Sequence, residues 1–543
     1  VTTHFLYNRK FSIISGGQYF KNGVLDFGEK DGEGTVDKTY RTVFGWSVAH
    51  DGIIYAYNTK NTQEATRRLT LSRFPEVPGL HDGLLNAQRA FIRNNHNFLL
   101  YLHSLYSYKF DDFATMAGEI ELHINDPHQK RRLRLEAWKE LEEGMFPDLT
   151  WLRKGLVWYK MKKDEIAKPG KVARMIGDLG VHCSLAGAYF ISRFKEGMAK
   201  EPVKINGGEM HFCAKPKYSS LKETFDNLIN LPTNLRFYFV YFSDDSCIAI
   251  RTRDGKVLRY NLDISKCDAS HTGALFKSLY TILPAHTHKN LTRLIKQCEA
   301  PIEIRACSNA RKRVRLRPNE ATLYSGSTLT TVANNLANLY LGLSISQSDI
   351  RGPKDVIRAA ARAGYVITLD ECETPEEIQF LKHSPVQDTL GEWQPLLNPG
   401  VMFRASGTCR GDLPGRGPLR PRAEQFQKAL LRGMYPRQSF PILETMKSSV
   451  NHAKTIEYKQ IQDKFRYRVT HDTKQEECIV ATDEAVFRRY RITPHQLVEL
   501  QELVRENTFE TQIACPALDA ILHKDYGLHC KYTLPNPNLN HNS

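Results

Sequence analysis

The chain has 543 residues, 41% apolar and 25% charged, enough for about three to five folded units of ordinary globular composition. Peptide hormones, disulfide miniproteins and lone binding modules are excluded. Lysine and arginine outnumber aspartate and glutamate 75 to 60, a net charge of +15, which favours nucleic acid or an anionic membrane over acidic proteins and neutral metabolites as partners.

Eleven cysteines, from Cys183 to Cys530, are scattered without a CxxC pair, a pattern of reduced thiols and not of a disulfide framework or zinc knuckle. No window approaches the ~18 apolar residues of a membrane span. Val1 to Asn8 lack a signal-peptide core, and the start at Val1 fits a processed chain. A soluble, intracellular protein is expected. No repeat of solenoid or propeller length is present.

In chain order, residues 1–232 alternate helical stretches, Leu84 to Ser107 and Arg131 to Met145, with Gly-rich and charged connections. Lys163, Lys168, Lys171 and Arg174 form a basic run there, suited to a solvated surface or to a phosphate group. Leu235 to Asp263 reads as a β-meander with strands at Phe237 to Phe242, Ser246 to Thr252 and Lys256 to Leu262. Its turns are Ser243-Asp244-Asp245 and Asp254-Gly255. Strands of near-equal length return Asp263 to the sheet edge that carries Asp244 and Asp245. Three converging carboxylates repel one another unless cations occupy them, and oxygen ligands suit Mg²⁺ or Mn²⁺. Two such ions about 3.5 to 4 Å apart would activate an attacking hydroxyl and stabilise a leaving phosphate. Taken alone, Ser-Asp-Asp also fits an exposed hairpin tip.

Residues 269–390 mix helix and strand. Arg311, Arg313, Arg315 and Arg317 alternate, so a strand would align four cations on one face, for a phosphate backbone or to keep an edge strand soluble. Ser325 to Asn334 fits SGxxxTxxxN, a Ser-Gly turn feeding a helix. Thr330 and Asn334 share one helix face there, and Leu329, Val332, Leu336, Leu339 and Leu343 form an opposite, buried stripe. Val356 to Ala363 reads as a helix closed by Gly364, with a strand at Val366 to Leu369. Asn398 to Pro421 reads as a linker or long loop containing Arg410-Gly411-Asp412, and a largely helical region follows. The polar tail from Pro535 to Ser543 is expected to fray.

Taken together, Asp263 to Asp268, Ser325 to Asn334 and Ser243 to Asp245 resemble three palm motifs of viral RNA-dependent RNA polymerases: a DxxxxD strand end, an SGxxxTxxxN loop and helix, and a GDD or SDD hairpin. The Asp-Asp hairpin comes first here and last in most such enzymes. That order resembles the permuted lineage of permutotetraviruses and birnaviruses. The SDD form is more similar to the permutotetravirus enzyme, of the Thosea asigna virus type, because birnaviral polymerases carry a different pair. Lys163 to Ile176 resembles the fingers motif that grips the incoming triphosphate, and Ile378 to His383 resembles the hairpin that supports the primer end. Where many relatives carry a lysine thought to protonate pyrophosphate, Asp370 and Glu371 stand, so the acid is unassigned.

The resemblance implies an α+β right-hand polymerase with permuted palm connectivity. An N-terminal extension and fingers would span 1–232, the palm 233–268 and 321–390, a fingers insertion 269–320, and the thumb and tail 391–543. It implies templated nucleotidyl transfer from nucleoside triphosphates on an RNA template, with two Mg²⁺ or Mn²⁺ ions on Asp244, Asp245 and Asp263. Asp268 and Asn334 would read the ribose 2′-OH. Ser325, Gly326 and Thr330 would position template and nucleotide, and Lys163, Lys168, Lys171 and Arg174 would receive the triphosphate. Arg311, Arg313, Arg315, Arg317 and Lys382 would contact RNA. The expected location is the cytoplasm of an infected cell or the virion. A reverse transcriptase, a metal-dependent nuclease and a non-catalytic RNA-binding protein are the competing readings, and a reverse transcriptase normally places a bulky residue where Asp268 stands.

Overall fold

A computed structural model describes the chain except residues 1–5, 29–40, 44–46, 77–79, 108–134, 137–138, 140–155, 163–164, 181–191, 411–416, 434–437, 457–478, 507–511, 532–543 and a few single or paired positions. Its centre is a six-stranded sheet in the spatial order Val203–Ile205, Gly208–Phe212, Phe237–Phe242, Asp245–Arg251, Val257–Ile264, Ile367–Glu371. Pairing is antiparallel except between Gly208–Phe212 and Phe237–Phe242. A strand buried on both faces needs no polar alternation, which is why Phe237 to Tyr241 is apolar throughout and buried throughout.

The two faces carry separate cores. Phe239, Tyr241, Ile248, Tyr260 and Leu262 pack under the helices Thr330–Ser346, Pro353–Ala363, Leu80–Asn94 and Gly273–Ile282. Tyr238, Val240, Cys247 and Ala249 pack against the helix Tyr218–Ile229 and residues 378–381. The helix Thr330–Ser346 runs through the middle and is buried on all sides from Val332 onward. An apolar stripe with an outward polar face therefore does not describe it, because a second layer of helices covers the side away from the sheet. Gly342 permits the close approach: a β-carbon there would stand 2.6 Å from the Met210 sulfur and 3.1 Å from the Phe239 ring.

A second, five-stranded sheet has the order Met175–Asp178, Val157–Met161, Ile302–Arg305, Arg313–Pro318, Phe11–Ser15, over a core of its own. A fourth core gathers the C-terminal helices Pro441–Ser449, Asp483–Tyr490, Pro494–Glu506 and Pro516–Tyr526.

Several expected boundaries move. The central sheet begins at Val203, ahead of the β-meander that the sequence signalled. The stretch Leu84 to Ser107 is two helices, Leu80–Asn94 and His96–Ser107, separated at Asn95. Nearly all of 131–145 lies outside the described residues. The expected linker at 398–421 holds a helix, Pro399–Ala405, and a strand, Thr408–Arg410, paired with Arg41–Val43. Gly411 and Asp412 lie outside the described residues. N-terminal strands thus complete C-terminal pairs, as Ser47–Val48 also does beside Gln512–Ile513. Among the described residues no helix is long and apolar enough to cross a membrane.

Candidate active site

Only Ser243 and Asp244 form the first turn, since Asp245 is already in its strand, opposite both Phe242 and Asp263. So tight a reversal needs a residue with positive φ, and Ser243 takes it at 55°. Two asparagines of the central helix hold it there. The Ser243 amide donates to Asn335 Oδ1 at 2.6 Å, and Asn338 Nδ2 donates to the Ser243 carbonyl. Neither asparagine was singled out from the sequence, although two amides inside a leucine-rich helix are the signal that could have found them.

Asp245 and Asp263 are direct cross-strand partners and so share a sheet face. The Leu381 amide donates to Asp245 Oδ2 at 2.7 Å. Burial, reinforced by Asp244 and Asp263, still pushes the Asp245 carboxyl up to about 7 against that bond and Lys382. The Asp263 carboxyl is also raised. Partial loss of hydration at the carboxyl is the main cause, Asp244 comes next, and Lys171, Lys382 and Lys168 oppose them.

Of the three carboxylates expected to converge, Asp245 and Asp263 stand directly opposite each other across the strands. Among the described residues no three acids, histidines or cysteines form a ready metal cluster, and the Asp245 carboxylate is engaged by the Leu381 amide. Asp244, exposed at the turn tip, raises the carboxyls of both Asp245 and Asp263.

Beside this pair lies a small polar pocket. Asp268 sits in the short helix Cys267–Ser270, entered through Lys266 at φ 49°. Its carboxylate accepts from Ser325 Oγ at 2.5 Å and from Asn334 Nδ2 at 2.8 Å. Gly326 makes the loop possible. At φ 96° it lets the Ser325 carbonyl accept from the Gly177 amide at 2.9 Å, and a β-carbon at 326 would stand 2.8 Å from the Gly177 carbonyl oxygen. Thr330 does not reach Asp268: its hydroxyl turns back to the Tyr324 carbonyl at 3.4 Å and stabilises its own loop.

Lys168, Lys171 and Arg174 line a cavity of about 550 Å³ together with Arg68, Arg404 and Tyr526. Glu165 pairs with Arg174 at 3.0 Å and with Lys162 at 3.7 Å. Lys163 lies outside the described residues. Arg68, Arg404 and Tyr526, from the two ends of the chain, were not anticipated, and distant residues meeting across a fold leave no local sequence signal.

Lys382, expected to contact RNA, turns inward instead. Leu381 and Lys382 both have positive φ, 51° and 61°, which points the Lys382 ammonium at the Asp525 carbonyl, 3.3 Å away, and over the Tyr526 ring at 4.3 Å. Burial lowers its pKa, opposed by Asp245 and Asp525.

The arginine run differs from an edge strand. Arg313–Pro318 lies between Ile302–Arg305 and Phe11–Ser15, with Val314 and Leu316 buried. Buried Glu303 pairs with Arg305 at 2.7 Å, Arg315 at 3.2 Å and Arg313 at 3.5 Å. Arg313 and Arg315 thus share the ion-pair network of buried Glu303, with Arg315 half-buried and Arg313 exposed, while Arg317 and Arg311, the latter before the strand, are exposed as well.

No protein-family model matches the chain, and a search of curated proteins finds no match. Two of the solved structures that resemble it are these. One is the X-ray structure of the birnavirus VP1-VP3 complex, 13% identical, with a TM-score of 0.37, covering 58% of this chain and 45% of that one. The other is the RNA polymerase VP1 from Infectious Pancreatic Necrosis Virus, 12% identical, with a TM-score of 0.39, covering 69% of this chain and 57% of that one. The chain thus spans about half the length of these structures.

Proposed function

We propose that the protein is an RNA-directed RNA polymerase of the permuted viral type, similar to the permutotetravirus enzymes. One observation carries this reading: a carboxylate held by a serine and an asparagine, Asp268, stands five residues beyond Asp263, beside the Asp244 turn. A nuclease needs acids but no such pocket, and an RNA-binding protein needs neither. The early place of the Asp-Asp hairpin in the chain is physically tolerable, because its strand neighbours the Asp263 strand in the sheet and a tight turn connects them.

The donor set fits a hard divalent ion. Asp244 and Asp263 are oxygen ligands whose mutual repulsion a cation would relieve, so they would hold Mg²⁺ or Mn²⁺, with Asp245 as a further carboxylate after release from Leu381. Two bound ions supply charge stabilisation for a 3′-hydroxyl attacking an α-phosphate. The chain's own groups do the positioning. Lys168, Lys171 and Arg174, with Lys163, neutralise the triphosphate. Asp268 accepts from the ribose 2′-OH while Asn334 donates to it. Ser325 and Gly326 shape the floor of the site, and Arg311 and Arg317 with their sheet face RNA. The central sheet and its helices act as palm, the five-stranded sheet as fingers and the C-terminal helices as thumb. Synthesis takes place in the cytoplasm of an infected cell or within the virion.

The test is incorporation of labelled nucleoside triphosphates on an unprimed RNA template with Mg²⁺ or Mn²⁺. Template-dependent product from wild type, lost in Asp244→Asn and Asp263→Asn, is expected. RNA cleavage without any triphosphate would establish a nuclease instead, and deoxynucleotide use equal to ribonucleotide use would establish a reverse transcriptase.

A further inference from the structure

Beside the Asp268–Asn334 cluster lie a buried histidine and tyrosine that none of the roles above uses. His271 Nε2 stands 2.7 Å from Asn334 Oδ1, and His271 Nδ1 stands 3.1 Å from the Tyr365 hydroxyl. His271 is 1% exposed, and Tyr365 and Asn334 are 3% exposed each, so water does not settle which atoms carry the protons. The hydrogen-bond inventory does. Asp268 accepts only, so the Asn334 atom facing it is the amide nitrogen. The Asn334 oxygen then faces His271, and Nε2 must carry a proton. Burial drives the imidazole pKa down to about 4, so the ring is neutral, Nδ1 is bare, and it accepts from Tyr365.

We propose that His271 and Tyr365 are positioning residues for sugar selection: they lock the Asn334 amide in the orientation that donates toward Asp268 and the ribose 2′-OH. One Asn334 N–H is spent on Asp268, and the other is left for the 2′ oxygen. A flipped amide would set its oxygen against the Asp268 carboxylate, acceptor to acceptor, and would offer the 2′-OH no donor. The Nε2–H of His271 opposes that flip by occupying the oxygen, and the Tyr365 hydroxyl, bonded to Nδ1, holds the imidazole ring in the orientation that aims Nε2 at Asn334. The Cys267 thiol also lies 3.3 Å from Asn334 Oδ1, but as a weak donor it cannot replace the imidazole.

This inference rests on the polymerase reading, and the experiment separates the two. Ribonucleotide and deoxyribonucleotide efficiencies are measured on one RNA template for wild type, His271→Leu, His271→Gln and Tyr365→Phe. His271→Leu should narrow the ratio on the order of tenfold, as for a buried acceptor that loses its donor. His271→Gln places an amide N–H near the lost Nε2–H and should restore the wild-type ratio. Tyr365→Phe should narrow it by less, because only the ring's orientation is loosened, and it serves as the test if His271→Leu fails to fold. An unchanged ratio in both His271→Leu and Tyr365→Phe, or equal losses in the leucine and glutamine variants, overturns the inference while leaving the polymerase reading standing. Absence of any product from wild type overturns both.

Discussion

At the scale of single residues, His271 links the pocket to stability. Its folded pKa of about 4 lies below the ordinary 6.5, so on acidification the unfolded chain takes up the proton first. The stability it contributes is complete above pH 6.5 and is lost as pH falls toward 4. His271→Gln has no such group. Urea midpoints compared at pH 7 and pH 4.5 should therefore show wild type losing more than the variant, and parallel losses would mean that the imidazole is solvated. Asp268→Ala should cost ribonucleotide efficiency far more than deoxyribonucleotide efficiency, since a site built to bond a hydroxyl discriminates through its own unpaired polar groups. If steady-state kinetics instead show both falling equally, Asp268 merely supports the loop. Ser325 and Asn334 could be found from spacing because one contiguous motif holds both, and Asp268 because a second short motif ties it to Asp263. His271 and Tyr365 could not, since nothing in a lone histidine or tyrosine reports that both are buried against one amide.

At the scale of elements, the Ser-Gly loop and the strand Met175–Asp178 are one device, joined by the Gly177 amide and Ser325 carbonyl. Gly326→Ala puts a side chain at positive φ and a β-carbon against the Gly177 carbonyl. The strain is of order 1–3 kcal/mol, and the loop should yield by withdrawing Ser325 from Asp268. The expected readout is a raised nucleotide KM with a modest loss of thermal stability, and an unchanged KM would refute the coupling. The arginine strand shows a different division of labour. Arg317→Ala should shallow the salt dependence of single-stranded RNA binding by roughly 0.7 per lost phosphate contact. Arg313→Ala combined with Arg315→Ala should chiefly lower the unfolding midpoint, because two partners of buried Glu303 are removed. RNA-binding isotherms at several salt concentrations, beside urea unfolding, distinguish the two. Period-2 alternation made this strand legible. Its central position and the buried glutamate beneath it were not, because Glu303 lies ten residues upstream in an unremarkable stretch.

At the scale of the whole molecule, the C-terminal region reaches the acid site through one buried cluster. Asp525, fully buried, accepts from Arg489 at 2.7 Å, from the Tyr490 hydroxyl at 2.8 Å and from the Gly400 amide at 2.9 Å. Arg489 also bonds Gln379 and the Glu376 carbonyl, in the segment whose Leu381 amide holds Asp245. Removing one partner of a buried ion pair leaves the other uncompensated, at about 3–5 kcal/mol. Asp525→Ala should therefore destabilise the chain by that order in urea unfolding and loosen the 378–383 segment. A change below about 1 kcal/mol, the scale of an exposed pair, would show that Arg489 finds water instead.

What the sequence determined by itself was local. The meander and its turns follow from β-propensity and Asp-Gly or Ser-Asp signals within a few residues, so Asp263 was placed opposite the Asp-Asp turn, and the Ser-Gly loop feeding a helix follows from one contiguous pattern. Tertiary structure decided everything that depends on partners far along the chain. It buried the Thr330–Ser346 helix on all sides, because helices from 80–94 and 353–363 cover its outer face. It turned Asp245 toward Leu381 and Lys382 toward Asp525, through two positive-φ residues that no composition rule marks. It also carried strands from residues 41–48 to partners beyond residue 400, since backbone pairing needs only a complementary edge and is blind to the length of chain between.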